Sequence, residues 1–171
     1  MNGENILVTG GGGFIGSHIA RYLHSQGNFL RVADVEFDDY IKEDYCSEKM
    51  LLDLRVYDNC LTATKGIDKV YNLAANMGGI GFITAVGAEV MHDNVLINTY
   101  MLEAARQNKV KRFLFSSSAC IYPTYKQTSP DITGLKEEDA YPADPDNFYG
   151  WGKIVHRKAV RGLSERSRNG H

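Results

Sequence analysis

Tyr149 and Lys153 are the residues whose types and spacing most directly indicate chemistry in this chain. They lie four residues apart, and on a helix that spacing places two side chains on one face. A lysine ammonium beside a phenol favours the phenolate and lowers the tyrosine pKa, so the tyrosine can exchange protons near neutral pH. The pair therefore predicts an acid–base tyrosine. The alternative is a half-buried aromatic residue on an ordinary helix.

Ser118 and Cys120 lie upstream of that helix, just beyond a predicted strand. Taken with Tyr149 and Lys153, Ser118 indicates hydride transfer at a carbinol. Tyr149 would accept the proton, Ser118 would hydrogen-bond the substrate oxygen, and Lys153 would hold the nicotinamide ribose. A cysteine thiol can also act as an acid or base if its pKa is tuned. The alternatives are a strand-end hydroxyl for Ser118 and a small core hydrophobe for Cys120.

A glycine-rich segment lies between the first predicted strand and the first predicted helix. Gly10, Gly13 and Gly16 allow a tight turn, close approach to a pyrophosphate, and packing of the helix on the sheet. The helix begins near Phe14 and Ile15, where its free N–H groups and positive dipole end would face the phosphates. The segment predicts a dinucleotide site, with a ligand-free glycine turn as the alternative.

Further cofactor contacts are predicted at the ends of the next strands. Asp34 follows the glycine loop by 18 residues, where a carboxylate binds ribose hydroxyls and repels a 2′-phosphate, which favours NAD over NADP. A solvated strand-end carboxylate is the alternative. Asp53 and Leu54 either reach the adenine edge or, for Asp53, cap the following helix. The small residues of the segment Leu73-Ala74-Ala75 would let a cofactor lie against the backbone.

Short apolar runs alternate with longer helical periods along the chain. The predicted strands cover residues 5–9, 30–35, 50–52, 70–74 and 112–116. The predicted helices begin near residues 15, 55, 88 and 147, and residues 36–48, 75–87 and 117–146 are predicted to be loops. This alternation predicts an α/β fold, a Rossmann-type doubly wound parallel sheet with helices on both faces. Residues 1–156 would form the NAD-binding domain, and residues 157–171 a basic, frayed tail.

Composition excludes several other classes. The 171 residues carry a net charge of −2, which gives no global attraction to nucleic acid or to an anionic membrane. No apolar run approaches the roughly 20 residues of a membrane span, and the N-terminus lacks the features of a secretion signal. Three cysteines without Cys-x-x-Cys spacing favour reduced thiols in a cytoplasmic compartment. No His/Cys cluster has the spacing of metal ligands, so no metal is expected.

The motifs resemble the extended short-chain dehydrogenase/reductase family, whose members modify nucleotide sugars. The resemblance covers residues 4–156 and implies NAD as cofactor and a nucleotide sugar as substrate. Its markers are Thr9-Gly10-Gly11-Gly12-Gly13-Phe14-Ile15-Gly16-Ser17-His18, Asp34, Asp53-Leu54-Arg55, Leu73-Ala74-Ala75, Asn94, Ser117-Ser118 and Tyr149-x-x-x-Lys153.

Two segments, residues 72–83 and 117–123, are most similar to the 3,5-epimerases of GDP-hexoses within that family. This resemblance implies that Cys120 is one acid–base of the epimerisation and that Met77, Gly78 and Gly79 lie beside the hexose. It also implies that C4 of the sugar is oxidised while Tyr149 takes the hydroxyl proton. Cys120 and a partner lysine then exchange protons at C3 and C5 before hydride returns to C4. A homodimer through helices 88–107 and 146–165 is expected.

Alternatives remain open within the resemblance. GDP-fucose synthases share Ser-x-Cys-Ile-Tyr-Pro but use NADPH, which Asp34 disfavours. UDP-glucose 4-epimerases and nucleotide-sugar dehydratases also oxidise C4 and do not need Cys120. The chain is expected to end before the substrate domain, with the partner lysine beyond residue 171, because residues 161–167 do not resemble the family's continuation. A second hypothesis is therefore an NAD-binding fragment without turnover. A third hypothesis is an NAD-sensing module, which would keep the glycine loop but would not need Ser118, Cys120, Tyr149 and Lys153 together.

Overall fold

A computed structural model of the chain describes residues 3–37, 45–129, 131 and 134–168, without the side chains of residues 80 and 165–168. The described residues form two compact units. The first unit contains the residues up to Ala75 together with Leu96–Ser116. The second contains Asn76–Val95 and the residues from Ser117 onward.

The first unit is built on a five-stranded, fully parallel sheet with the strand order β3-β2-β1-β4-β5. Its order reverses between β1 and β4, and in open parallel sheets such a switch point is where ligands bind. The predicted strands are confirmed, although β3 begins and β4 ends about two residues earlier than expected. The strands are β1 (Asn5–Thr9), β2 (Phe29–Asp34), β3 (Glu48–Leu51), β4 (Lys69–Asn72) and β5 (Arg112–Phe115).

Helices cover both faces of this sheet, which confirms the predicted doubly wound class. Alternate residues of one strand enter opposite cores because successive side chains of a strand point to opposite faces. Val8 packs into the core that includes Ala20, whereas Leu7 packs into the core that includes Cys60 and Met101. These helices are α1 (Phe14–Ser25), α2 (Tyr57–Thr64) and the later part of α4 (Gly87–Gln107).

The second unit is mainly helical and contains turns that the sequence did not predict. Helix α3 (Ile80–Ala85) lies within the segment expected to be irregular. It forms because the Gly79 carbonyl accepts the amides of Phe82 and Ile83, and Ile83 is buried. Among its described residues, the predicted loop 117–146 contains three 3₁₀ turns. They are Ala119–Ile121, Thr124–Lys126 and Glu137–Ala140.

Helix α5 (Phe148–Arg168) carries Tyr149 and Lys153 and continues well past residue 156. Residues 157–168 are therefore helical in the structure. Among the described residues no helix is long and apolar enough to cross a membrane. That same part of the chain holds no group of three or more metal-ligating side chains.

Candidate active site

The glycine loop of the first unit is packed so closely that several of its positions exclude a side chain, Gly10 and Gly16 among them. Gly10 has a φ of 70°, and a Cβ there would lie 2.9 Å from the Ala74 nitrogen. A Cβ at Gly16 would lie 1.9 Å from the Gly10 carbonyl oxygen, so α1 can start here only with glycine. Gly13 is less constrained, because the nearest atom to its Cβ would be 3.5 Å away.

The start of α1 has the features of a phosphate site. Gly13 precedes the helix, and no side chain caps the first turn, so its N–H groups remain to bind an anion. Phe14 and Ile15 are 82% and 64% exposed. These two apolar side chains lie open at the predicted nucleotide site.

Asp34 ends β2 and lies against the same loop. Its Oδ2 accepts the Gly12 N–H at 2.9 Å, and its Oδ1 accepts the Val35 N–H at 2.8 Å. The carboxylate therefore lies at the loop, as the predicted ribose contact requires. Its contact with a ribose remains a prediction.

Asp53 does not cap α2, so that alternative is wrong. Helix α2 has Val56 at its N-cap and no side-chain cap. The Asp53 carboxylate instead accepts the Arg55 amide at 2.9 Å and its guanidinium at 2.8 Å, and the Arg55 hydrogen bond lowers the Asp53 pKa. The Leu54 side chain is buried in the core. Any cofactor contact of Leu54 would therefore come from its backbone.

The segment that leaves β4, Leu73–Ala75, is held by Thr9, which the sequence indicated only as a family marker and not as an anchor. Thr9 Oγ1 accepts the amides of Leu73 and Ala74, both at 3.1 Å, and donates to Asn72 Oδ1 at 2.9 Å. Asn72 in turn donates to Asn98 Oδ1 at 2.8 Å. A polar residue that ends a buried apolar strand needs such hydrogen-bond partners. The position of Thr9 at the end of β1 was therefore the feature of the sequence that could have indicated its anchoring role.

The second unit brings Ser118, Cys120, Tyr149 and Lys153 together. Tyr149 and Lys153 are 7% and 5% exposed, and the Lys153 Nζ lies 5.3 Å from the centre of the Tyr149 ring. Cys120 packs against the cluster that contains Tyr149. The Cys120 amide donates to Ser118 Oγ at 3.2 Å, which leaves the serine hydroxyl hydrogen as a donor.

Because Gly150 has no side chain, the 3₁₀ turn Ala119–Ile121, which contains Cys120, can pack against α5. A Cβ at this position would be 2.2 Å from the Cys120 carbonyl oxygen and 2.8 Å from the Pro145 side chain. Glycine inside a helix is unfavourable by roughly 1 kcal/mol, so it calls for a packing reason. That was the signal for Gly150, which sequence reasoning did not single out.

Burial is the main cause of the pKa shifts of Tyr149 and Lys153. It shifts the Tyr149 pKa in the direction opposite to the one expected from the sequence. Burial, with a smaller contribution from Cys120, raises the Tyr149 pKa. Burial also lowers the Lys153 pKa to about 8. The expectation that Lys153 lowers the Tyr149 pKa is therefore wrong for this structure. The lost hydration of the phenolate sets the direction of the Tyr149 shift, and the Lys153 ammonium lies over the ring.

The segment Met77–Gly79, which is predicted to lie beside the hexose, is anchored through the residue before it, Asn76. Buried Asn94 makes reciprocal hydrogen bonds, at 2.8 and 2.9 Å, with the backbone N–H and C=O of Asn76. Met77 follows and is 57% exposed, and the ring of Phe82 occupies the space that a Cβ at Gly78 would need. Asn94 was noticed only as a family marker, and its anchoring role depends on tertiary structure.

The sheet order and the glycine loop of the first unit define the class of Rossmann-type dinucleotide-binding proteins. The sequence pattern of the NAD-dependent epimerase/dehydratase family matches residues 6–168. The chain belongs to this family, which confirms the resemblance drawn from the motifs.

Its similarity to particular members is substantial. The chain is 52% identical to GDP-mannose 3,5-epimerase 1 of Oryza sativa subsp. japonica over 151 residues, and 49% identical to GDP-mannose 3,5-epimerase of Arabidopsis thaliana. Each match covers 88% of this chain and 40% of the relative. The chain thus spans well under half the length of these relatives.

Solved structures give the same fold. The UDP-glucose 4-epimerase of Thermus thermophilus, in complex with NAD, superposes with a TM-score of 0.76 at 26% identity. The match covers 96% of this chain and 51% of that one.

Proposed function

We propose that the chain carries the cofactor-binding and acid–base groups of an NAD-dependent nucleotide-sugar epimerase, acting on GDP-mannose at C3 and C5. The observation that carries this proposal is the packing of Cys120 against the cluster that contains Tyr149. A reaction confined to C4 needs no second acid–base group there, whereas proton exchange at C3 and C5 needs one, and the Cys120 thiol can supply it. The 49–52% identity to GDP-mannose 3,5-epimerases supports the same substrate.

The glycine loop fits a dinucleotide. Positive φ at Gly10, the absence of room for a side chain at Gly16 and the uncapped start of α1 all favour bound phosphates. Asp34 would hold the adenosine ribose, the backbone near Asp53 and Leu54 the adenine edge, and residues 73–75 one wall. When bound, NAD supplies a hydride acceptor that is regenerated at the end of the cycle.

Each chemical residue then has one task. Tyr149 takes the proton of the C4 hydroxyl in its phenolate form, which the positive charge of bound NAD⁺ would favour against the effect of burial. Ser118 donates a hydrogen bond to the same oxygen. The resulting ketone acidifies the protons at C3 and C5, and Cys120 exchanges one of them. Lys153 holds the nicotinamide ribose, and the segment Met77–Gly79 lies beside the hexose.

A direct test follows the reduced cofactor spectroscopically after the chain is mixed with NAD⁺ and GDP-mannose. The proposal predicts a transient absorbance of reduced nicotinamide, which Tyr149→Phe abolishes while NAD⁺ binding persists. Tyr141→Phe, a matched change elsewhere in the same unit, should retain the signal. Binding of NAD⁺ without any reduced cofactor would overturn the proposal and favour a nucleotide-binding fragment without turnover.

A GDP-fucose synthase-like reductase is the second candidate. It is favoured by the 34% identity over 123 residues to GDP-L-fucose synthase of Escherichia coli (strain K12). Tighter binding of NADPH than of NAD⁺ would favour it over the epimerase.

Two further features belong to this proposal. We propose a homodimer through α4 and α5, because Phe148, Trp151 and Val155 on α5 are each more than 40% exposed. We also propose a cytoplasmic location. The free cysteines Cys46, Cys60 and Cys120 support it, since disulfides are rare in that compartment.

A further inference from the structure

The peptide unit between Gly11 and Gly12 is held on both of its polar groups by side chains from outside the loop. The Tyr45 hydroxyl donates to the Gly11 carbonyl oxygen at 3.1 Å, and the Asp34 carboxylate accepts the Gly12 N–H at 2.9 Å. Because glycine tolerates many backbone conformations, the local sequence does not fix the orientation of this peptide plane. These two side chains do.

We propose that Tyr45 is a positioning residue for the dinucleotide: its hydroxyl fixes the Gly11–Gly12 peptide and thereby the shape of the phosphate loop. This inference rests on the proposed function, because the loop is taken to hold NAD.

Tyr45 is well placed for this role. Its side chain is 3% exposed and packs in the core between the sheet and α1, and the Lys49 Nζ lies 5.0 Å from its ring centre. Burial, with smaller contributions from Cys46 and Asp34, raises the Tyr45 pKa. The hydroxyl therefore keeps its proton and stays a donor at neutral and mildly alkaline pH.

The rest of the loop leaves little other freedom. A Cβ at Gly11 would lie 2.7 Å from Val32, and one at Gly12 would lie 2.2 Å from the Glu36 carbonyl oxygen. The two glycines are thus pressed against β2 and the segment after it. Rotation of the peptide plane between them needs no movement of either Cα, and loss of the Tyr45 hydroxyl would remove one of the two hydrogen bonds that oppose this rotation.

The test compares Tyr45→Phe with Tyr22→Phe, the same chemical change at a side chain on α1 that is 66% exposed. NAD⁺ and adenosine affinities are measured well below both melting temperatures, and Gly12 amide exchange is followed by NMR. Tyr45→Phe should weaken NAD⁺ binding about five-fold, the equivalent of one hydrogen bond. It should also accelerate Gly12 exchange and change adenosine affinity little, since adenosine lacks phosphates. Tyr22→Phe should change none of these.

The outcomes separate this inference from the proposed function. If the wild-type chain binds NAD⁺ and Tyr45→Phe binds it with the same affinity, the positioning role of Tyr45 is overturned and the proposed function is not. An equal loss for adenosine and NAD⁺ would also overturn it, because general damage rather than a misplaced phosphate loop would then be the cause. Failure of the wild-type chain to bind NAD⁺ would overturn the proposed function and the positioning role together.

Discussion

Lys153 places an ammonium group in a buried position, and this burial should affect how the free energy of unfolding depends on pH. Its pKa is about 8 in the folded chain, against about 10.4 for an exposed lysine. Between these two values Lys153 binds a larger fraction of a proton in the unfolded chain than in the folded one, so its own contribution to the free energy of unfolding should rise with pH across that window. Below about pH 8 both states are protonated, and the full cost of burying the charge remains.

Lys153→Met removes that charge and should stabilise the folded chain at about pH 7 by roughly 1–3 kcal/mol. Urea unfolding at several pH values measures the effect. Lys158→Met, at an exposed position of α5, should retain the wild-type pH dependence. A stability difference between Lys153→Met and the wild type that does not shrink between about pH 8 and pH 10 would contradict this account of Lys153.

Asp34 is a second single residue with a testable effect, because its carboxylate should determine the preference for NAD over NADP. Asp34→Ala removes the charge that repels a 2′-phosphate, so the ratio of NAD to NADP affinities should narrow about ten-fold. Calorimetric titration with both cofactors measures that ratio. Glu36→Ala, at an exposed acidic residue just past β2, is the control. An unchanged ratio in Asp34→Ala would remove Asp34 from the ribose site.

Several single residues could be predicted from sequence and others could not. Asp34 and the loop glycines have a fixed position relative to a strand and a helix, so a local pattern identifies them. Thr9 and Tyr45 act on partners that only the folded chain brings near. Tyr45 lies 34 residues from Gly11, and no local pattern links the two.

The packing of the 3₁₀ turn Ala119–Ile121 on α5 is the contact between elements on which the proposed chemistry depends. Gly150→Ala forces a Cβ to within 2.2 Å of the Cys120 carbonyl. The turn must move, which should destabilise the chain by about 2 kcal/mol or more and weaken activity that requires Cys120. Chemical denaturation and the spectroscopic assay measure the two effects.

Gly162→Ala is the matched control in the same helix, because a Cβ there meets nothing within 4 Å. This substitution should stabilise α5 by roughly 0.5–1 kcal/mol. If Gly150→Ala were also stabilising, the turn would not be packed on the helix as described.

The elements themselves were largely predictable for physical reasons. Strands buried on both faces give continuous apolar runs, and α1 combines an apolar face with a glycine stop at Gly27, where φ is 80°. Helix α3 was missed because glycine-rich segments have weak helix propensity. Burial of Ile83 supplies the stabilisation that its local sequence lacks.

At the scale of the whole molecule, apolar residues on the surface predict self-association. Trp151 and Val155 on α5 are 41% and 53% exposed, and Leu51 and Leu114 on the two edge strands are 69% and 47% exposed. Such exposure favours contacts with a second copy. We expect sedimentation velocity to show a dimer that Trp151→Glu weakens and Tyr22→Glu does not. A monomer at all accessible concentrations would contradict the proposed dimer.

The central claim is that Cys120 exchanges protons on a sugar whose C4 has been oxidised. The most direct measurement incubates the chain with NAD⁺ and GDP-mannose in deuterated water and follows deuterium at C3 and C5 by NMR. We predict incorporation in the wild type and in Cys60→Ala, whose thiol is buried with a pKa raised to about 12, and none in Cys120→Ala. Undiminished incorporation in Cys120→Ala, or none in a wild-type chain that binds NAD⁺, would contradict the account.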